Sequence, residues 1–319
     1  MNESGGGSRA GERAIGRRRS DRIVGASRAI QDVVDQAVAA GVSELPVCIT
    51  GPEGSGKEHI ARAIHSWSSR AAGPFVVVSG IGAPEALRGR DLFGCTESTY
   101  PGLPQAHEGG LQRAAGGTLL VDHADALPSD VAQAFTKAVG EGHFQREGDA
   151  TPLPLRARVV LVSREALVRN PFEGVPHHSL ALPGLVERTE DILPLAAHFL
   201  ASAADEEGIE VVGFTSDARA ALTSESWPGN VRELAERVGQ ALRLSGSGAI
   251  SAEALMLSAQ PEDVPSFKDA KRAFERRYVT GLLRRCGGNI SRAARLAKKD
   301  RKDFYDVIRR TGIDPSEFR

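Results

Sequence analysis

No apolar run in this chain exceeds about half a dozen residues, with Pro74 to Val78 and Val159 to Val162 typical, far short of the ~20 that a membrane-spanning helix needs. A helical membrane protein is excluded. Cysteine is scarce, and Cys48, Cys95 and Cys286 are an odd number without ligand spacing, so a reduced cytoplasm is the expected compartment. Residues 1 to 20 mix Gly, Ser and Arg without an apolar segment, which predicts a flexible arm and not a signal peptide. There is no internal repeat, no long low-complexity tract and no Cys, His and Asp constellation that suggests a nucleophile. His177 and His178 are a lone pair, expected in a loop without further metal ligands. What is present, 41% hydrophobic residues together with 35 glycines, is a globular usage.

The formal net charge of −1 conceals a division. From Ser266 to Arg319 there are 16 Lys and Arg against 7 Asp and Glu, a tail of +9, while the remaining residues carry −10. A basic terminal domain of this kind is the electrostatic footprint of a phosphate-backbone binder. The stretch from Ser258 to Ser266, with Pro261 and Pro265 among polar residues, falls where the sign changes and reads as a linker.

Along the body, helix and strand signals alternate. Ser27 can cap a helix whose apolar residues Ile30, Val33, Val34, Ala37 and Val38 recur at helical spacing. A buried strand is expected from Leu45 to Thr50, a helix from Lys57 to Ser69, strands at Phe75–Ser79 and Thr118–Val121, a helix after Ser129 and a strand at Ala157–Val162. The class is α/β with a largely parallel sheet. From Thr189 onward the strand signals stop, and three helical stretches follow near Glu190–Ala204, Ser216–Ser226 and Asn230–Leu244.

Gly51-Pro52-Glu53-Gly54-Ser55-Gly56-Lys57 fits G-x-x-x-x-G-K directly after one expected strand and before one expected helix, the context in which backbone N–H groups close around phosphate. Gly51, Gly54, Ser55 and Gly56 form the cradle and Lys57 reaches the outer phosphates. Glu58 stands where the general motif has Ser or Thr.

With this loop, the segments Ile23-Val24-Gly25-Ala26-Ser27, Asp91-Leu92-Phe93-Gly94, Gly116-Gly117-Thr118-Leu119-Leu120-Val121-Asp122 and Trp227-Pro228-Gly229-Asn230-Val231-Arg232-Glu233-Leu234 occur in order ahead of the basic tail. From about Arg22 to Arg319 the chain resembles the AAA+ bacterial enhancer-binding proteins that activate sigma-54 RNA polymerase. In that family Glu after the loop lysine is common. The resemblance implies an AAA+ P-loop core over 21–188, a helical lid over 189–257, the linker over 258–266 and an all-α Fis-type helix-turn-helix domain over 267–319. It implies ATP or ADP with Mg as ligands, an adenine pocket at Ile23 and Val24, Asp122 as the magnesium-orienting residue, Arg232 as the lid arginine that senses nucleotide, and assembly into rings.

Against this pattern several catalytic parts are missing. The family's catalytic Glu is replaced by His123, its polar Asn sensor by Arg164, and no Arg occurs from Pro171 to Glu187, where the trans-acting arginine fingers belong. Loss of a finger alone costs ~10³ or more in rate, so the expectation is nucleotide binding with weak or absent hydrolysis. The family's sigma-54 contact hexapeptide, GAFTGA, falls on Ser98-Thr99-Tyr100-Pro101-Gly102-Leu103, retaining only an aromatic and one glycine. Pro101 fixes φ and removes a donor there, and impaired sigma-54 engagement is expected.

In the tail a helix is expected from Phe267 to Cys286, a second capped by Asn289 and running through Leu296, and a third capped by Asp300 and covering Arg301 to Arg310. Two short helices joined by a tight turn match helix-turn-helix geometry, whose second helix enters the major groove of double-stranded DNA. Arg301, Lys302 and Asp303 are placed to read base edges, with Tyr305 on the same helix. Arg292, Arg295, Lys298 and Lys299 are placed to hold phosphates. The reading is a cytoplasmic DNA-binding transcription regulator, forming a homo-oligomer as dimer or ring, with no membrane association and with RNA polymerase or sigma-54 as further partners in question. The residues before the core are too few for a sensory domain, so its signal is expected from elsewhere. Two alternatives remain open: a working ATP-driven sigma-54 activator with His123 as base, and a non-catalytic subunit in mixed rings with an intact homologue.

Overall fold

The computed structural model describes residues 23–102, 105–165, 172, 174–246, 248–257 and 267–318, so the arm, the expected linker and Leu103 lie outside the described residues. They fall into two compact units, 23–257 and 267–318. The first contains α1 (Arg28–Gly41), β1 (Val47–Thr50), α2 (Lys57–Ser66), β2 (Phe75–Ser79), α3 (Arg88–Phe93), α4 (Gly110–Arg113), β3 (Thr118–Asp122), α5 (Ser129–Glu141), β4 (His143–Gln145), β5 (Pro152–Pro154), β6 (Arg158–Ser163), β7 (His178–Ala181), α6 (Ile192–Glu207), β8 (Val211–Phe214), α7 (Ser216–Ser224), α8 (Asn230–Ser245), β9 (Gly248–Ile250) and α9 (Ala252–Leu257).

A parallel sheet in the order β2-β3-β6-β1-β7 forms its centre. Every residue of β6 is buried, as a central strand covered on both faces requires. One apolar cluster joins Val78, Leu119, Val121, Phe135, Leu161 and Phe172, and another joins Ile30, Ile49, Ile60, Leu120, Val160 and Leu180. Alternate residues of β3 and β6 thus serve opposite faces. Register then brings strand ends together: Thr50 pairs with Ser163 and Ser79 with Asp122. Gly51, Arg164 and His123 therefore leave the sheet along one edge, the carboxyl edge where α/β sheets bind ligands.

Local chemistry explains the helix starts. Ser27 Oγ accepts from Ile30 N at 3.3 Å and Thr215 Oγ1 from Ala218 N at 3.3 Å, satisfying N–H groups left over at helix N-termini. Arg158, at the start of β6, is buried and donates to the carbonyls of Ala40 at 2.7 Å and Leu45 at 3.0 Å, tying the end of α1 to the sheet.

Two expectations need correction, and one element carries no strand signal. Strand structure does not stop at Thr189: β8 and β9 pair in parallel beside α6, α7 and α8, and α9 is a fourth helix of this region. These strands are short, and Gly213, with φ of 122°, breaks the alternation that would have marked the first. His178 lies not in a loop but at the start of β7, paired with Val47 of β1. Its polar sequence carries no strand signal, and the edge of β1 supplies the hydrogen-bonding template. The hairpin of β4 and β5 was also not marked in the sequence, because prolines stand at both ends of β5.

The second unit is three helices, α10 (Phe267–Cys286), α11 (Ile290–Leu296) and α12 (Arg301–Thr311), around Val279, Leu283, Ala293, Ala294, Phe304 and Ile308. Asn289 Oδ1 accepts from Arg292 N at 3.0 Å and Asp300 Oδ1 from Lys302 N at 2.7 Å, so both short helices begin where local capping dictates. Among the described residues no helix is long and apolar enough to cross a membrane.

Candidate functional site

At the carboxyl edge of the sheet a cavity of about 650 Å³ opens between the α/β core and the helices that follow it, within the range of small-molecule and cofactor sites. Ile23, Val24, Leu195, Phe199 and Val231 form an apolar wall. Gly54, Ser55, Gly56, Lys57, Glu58, Asp122, His123, Arg164 and Arg232 form the polar end. The residues expected to form a nucleotide site from Ile23 to Arg232 are thereby gathered around one space. Gly51 is the exception: it lies behind the loop, its N–H donating to Arg164 O at 3.2 Å.

The loop's glycines have separate physical grounds. A Cβ on Gly54 would lie 2.1 Å from the carbonyl oxygen of Gly229, at a φ of 70°, so only glycine allows this approach to α8. Gly56, with φ of 103°, meets nothing within 4 Å, so its need is backbone conformation at the entry to α2.

Lys57 Nζ donates to the carbonyls of Gly51 at 2.6 Å and Pro52 at 2.7 Å. Burial lowers the pKa of this ammonium, against the opposing pull of Asp122, Glu53 and Asp125. Ser55 Oγ is buried with no partner. A half-buried cation beside a buried, unsatisfied hydroxyl fits a polyphosphate, which would supply acceptors to both. Glu58 lines the cavity, but its carboxylate pairs with Arg62 at 2.6 Å along α2.

Beyond Asp122 the chain turns sharply. His123 has φ of 51° and ψ of 47°, unusual for a residue other than glycine. Its N–H donates to Asp122 Oδ1 at 3.0 Å, while Nδ1 lies 3.1 Å from Oδ2 without the alignment of a hydrogen bond. Both Asp122 oxygens therefore face His123.

Of four residues to which the sequence reading assigned no site role, Glu53 and Arg188 line the cavity and Asn230 and Asp191 hold its walls from behind. Glu53 pairs with Arg164 and approaches Arg232 at 3.4 Å. Asn230 donates from Nδ2 to Glu53 O at 2.8 Å and accepts at Oδ1 from Leu185 N at 2.7 Å. Buried Arg188 donates to Ser55 O at 2.7 Å; burial lowers its pKa, opposed by Asp191 and Glu187. Asp191, fully buried, accepts from Ala26 N at 2.6 Å, Ser27 N at 2.8 Å and Ser27 Oγ at 2.7 Å, which fixes the Ile23–Val24 segment beside the cavity. The only advance signal was charge, as Glu53 occupies an unspecified position of the loop motif and Asn230 lies inside a segment already singled out.

Ser98 to Gly102 lies away from this cavity. The Tyr100 hydroxyl donates to Glu147 near the hairpin, and burial followed by that carboxylate raises its pKa. Pro101 and Gly102 are exposed.

In the second unit, Arg292, Arg295, Lys298, Lys299, Arg301, Lys302, Asp303 and Tyr305 are all exposed, and Lys298 takes a left-handed conformation, φ 50°, in the turn. Arg310 on the same helix is instead paired with Glu275 of α10 at 2.7 Å. Among the described residues no group of three or more His, Cys, Asp or Glu side chains is placed to hold a metal by itself.

Comparison with known proteins agrees with this architecture. Residues 23–174 match the sigma-54 interaction domain and residues 186–271 the AAA+ ATPase lid domain. The chain is 32% identical over 311 residues to the transcriptional regulatory protein GlrR of Escherichia coli K12, an alignment covering 94% of this chain and 70% of that protein. It is 35% identical over 221 residues to the DNA-binding transcriptional regulator NtrC of the same organism, covering 66% and 47%. Crystal structures of NtrX from Brucella abortus with ADP and with ATP superpose with TM-scores of 0.67 and 0.64 at 27% identity; the ADP complex covers 92% of this chain and 70% of the NtrX chain. The phosphate loop, the parallel sheet and the helices around the cavity are thus those of the AAA+ transcriptional regulators that carry a sigma-54 interaction domain, and this chain belongs to that family.

Proposed function

We propose that the chain is a DNA-binding transcription regulator that binds ATP or ADP with Mg and hydrolyses ATP weakly or not at all. The observation that carries this reading is the pairing of a complete phosphate-binding end, Lys57, Ser55 and Asp122, with His123 where a catalytic carboxylate would stand. The other cavity-lining glutamates are engaged elsewhere, Glu53 by two arginines and Glu58 by Arg62. Activation of an attacking water needs a positioned group, and stabilisation of the transferred phosphoryl needs added cations. Magnesium would neutralise phosphate charge, oriented by Asp122. Ile23, Val24 and the apolar wall would take the adenine, the loop and Lys57 the phosphates, and Arg232 would report the occupant to α8.

Weak sigma-54 engagement belongs to the same reading. It is supported by Pro101 in the hexapeptide and by the tie of Tyr100 to Glu147. Double-stranded DNA would be held by Arg292, Arg295, Lys298 and Lys299 and read by Arg301, Lys302, Asp303 and Tyr305, in an oligomer, dimer or ring, alone or mixed with a homologue.

One observation favours a second reading, an active ATPase: Nδ1 of His123 lies 3.1 Å from Asp122 Oδ2, so the pair could act as a base. ATP turnover measured beside nucleotide affinity separates the two. Binding with turnover far below ~1 s⁻¹ supports the first reading, and turnover at or above that rate overturns it.

A further inference from the structure

At the mouth of the phosphate loop, Glu53 accepts from two guanidiniums carried by different elements. Arg164, just past β6, pairs with Oε2, and Arg232, in the first turn of α8, approaches Oε1 at 3.4 Å. The side chains of Glu53, Arg164 and Arg232 are 50%, 59% and 62% exposed, and pairs so open to water contribute little to folding. Their consequence is positional. The Arg164 backbone is bonded to the loop through Gly51 N at 3.2 Å, so the root of its side chain is fixed relative to the phosphate cradle. Arg164 is also near enough to Lys57 to oppose its protonation. Lys57, Arg164 and Arg232 thus line one cavity as three cations, and Glu53 is the carboxylate that occupies two of them.

A planar guanidinium fork binds phosphate oxygens as readily as carboxylate oxygens, and a terminal phosphate carries more charge than Glu53. We propose that Arg164 is a phosphate-contacting residue that discriminates a nucleoside triphosphate from a diphosphate, and that Glu53 is the internal anion that the terminal phosphate displaces from Arg164 and Arg232. This rests on the nucleotide-binding reading above. It makes the Arg at this position an added cation supplied by the chain itself and not merely a lost polar sensor. The two substitutions have opposite signs, because removing Arg164 deletes a ligand of the terminal phosphate while neutralising Glu53 deletes its competitor.

The test is equilibrium binding of ATP and of ADP, each with Mg, to the full chain, its Arg164→Gln variant and its Glu53→Gln variant, with thermal melting as the check of folding. The expected result is a roughly tenfold fall in the ATP-over-ADP affinity ratio for Arg164→Gln, the size of one charge-assisted contact, and tighter ATP binding for Glu53→Gln. An unchanged ratio in Arg164→Gln, equal weakening of ATP and ADP, or weaker ATP binding by Glu53→Gln overturns the proposal while leaving nucleotide binding intact. Failure of the unsubstituted chain to bind either nucleotide overturns both readings.

Discussion

The side-chain amide of Asn230, at the first residue of α8, donates to the backbone carbonyl of Glu53 at 2.8 Å, and that bond joins the helical subdomain to the phosphate loop. The same side chain accepts from Leu185 N, and two residues on, Arg232 N donates to Gly54 O at 3.1 Å. Asn230 holds φ of 54°, a conformation that asparagine tolerates better than other residues bearing a side chain. Displacement of the loop by a ligand would therefore be felt directly at the start of α8.

Asn230→Ala removes these two bonds and a third, from Nδ2 to Pro228 O at 3.3 Å, leaves the buried Leu185 N–H without its acceptor and places a poorly suited residue in the left-handed region. A stability loss of about 2–4 kcal/mol is expected, read as a lower urea midpoint. Asn230→Gly removes the same bonds but is at ease at φ of 54°, so its loss should be smaller. Equal losses in the two variants would place the effect elsewhere.

His123→Glu should not restore ATP turnover to the ~1 s⁻¹ floor of ordinary enzymes. The single change supplies a carboxylate but no Arg between Pro171 and Glu187, and the new side chain would leave from a backbone with φ of 51°. Full activity from this one substitution would overturn the reading that the absence of Arg from Pro171 to Glu187 also limits turnover.

On the second unit, Arg301→Ala or Lys302→Ala should relax sequence preference at one operator position and cost about 1–3 kcal/mol where a bidentate base contact is lost. Lys298→Ala or Lys299→Ala should weaken all sequences alike and make log affinity against log salt shallower, the signature of a lost phosphate contact. The comparison is made in the full chain. If removal of the residues after Pro265 leaves specific DNA affinity unchanged, this unit is not the reader.

His178 provides a pH test of the sheet edge. Burial, then Arg158 and His177, lower its pKa below the ordinary 6.5. The folded chain thus binds this proton less readily than the unfolded chain. Its contribution is complete above the unfolded pKa and declines as pH falls through 6.5 toward the folded value. Stability measured by denaturant at pH 7.5 and about 5.5 should fall less in His178→Gln than in the unsubstituted chain. An equal fall would assign the dependence to other groups.

Much of the molecule was legible because the relevant physics is local. Ser27, Asn289 and Asp300 begin helices through bonds spanning two or three residues, and β2 covers Phe75–Ser79, the strand its run of β-branched residues predicts. The phosphate loop was legible for the same reason, since Gly56 and Lys57 act within one turn between β1 and α2, although the close approach of Gly54 to Gly229 is tertiary. Pairing across the chain was not legible. His178 becomes a strand residue only because β1 offers it an edge, and the short β8 finds its partner in β9 on the far side of α7 and α8. The polar end of the cavity belongs to this second kind. Residue types alone placed Lys57, Asp122 and Arg232 in one site through resemblance, whereas the meeting of Glu53, Arg164 and Arg232 depends on the register of β1 with β6 and on the bonds from the start of α8 to the loop. Those contacts join residues more than a hundred positions apart, and only the packed sheet and helices bring them within hydrogen-bond reach.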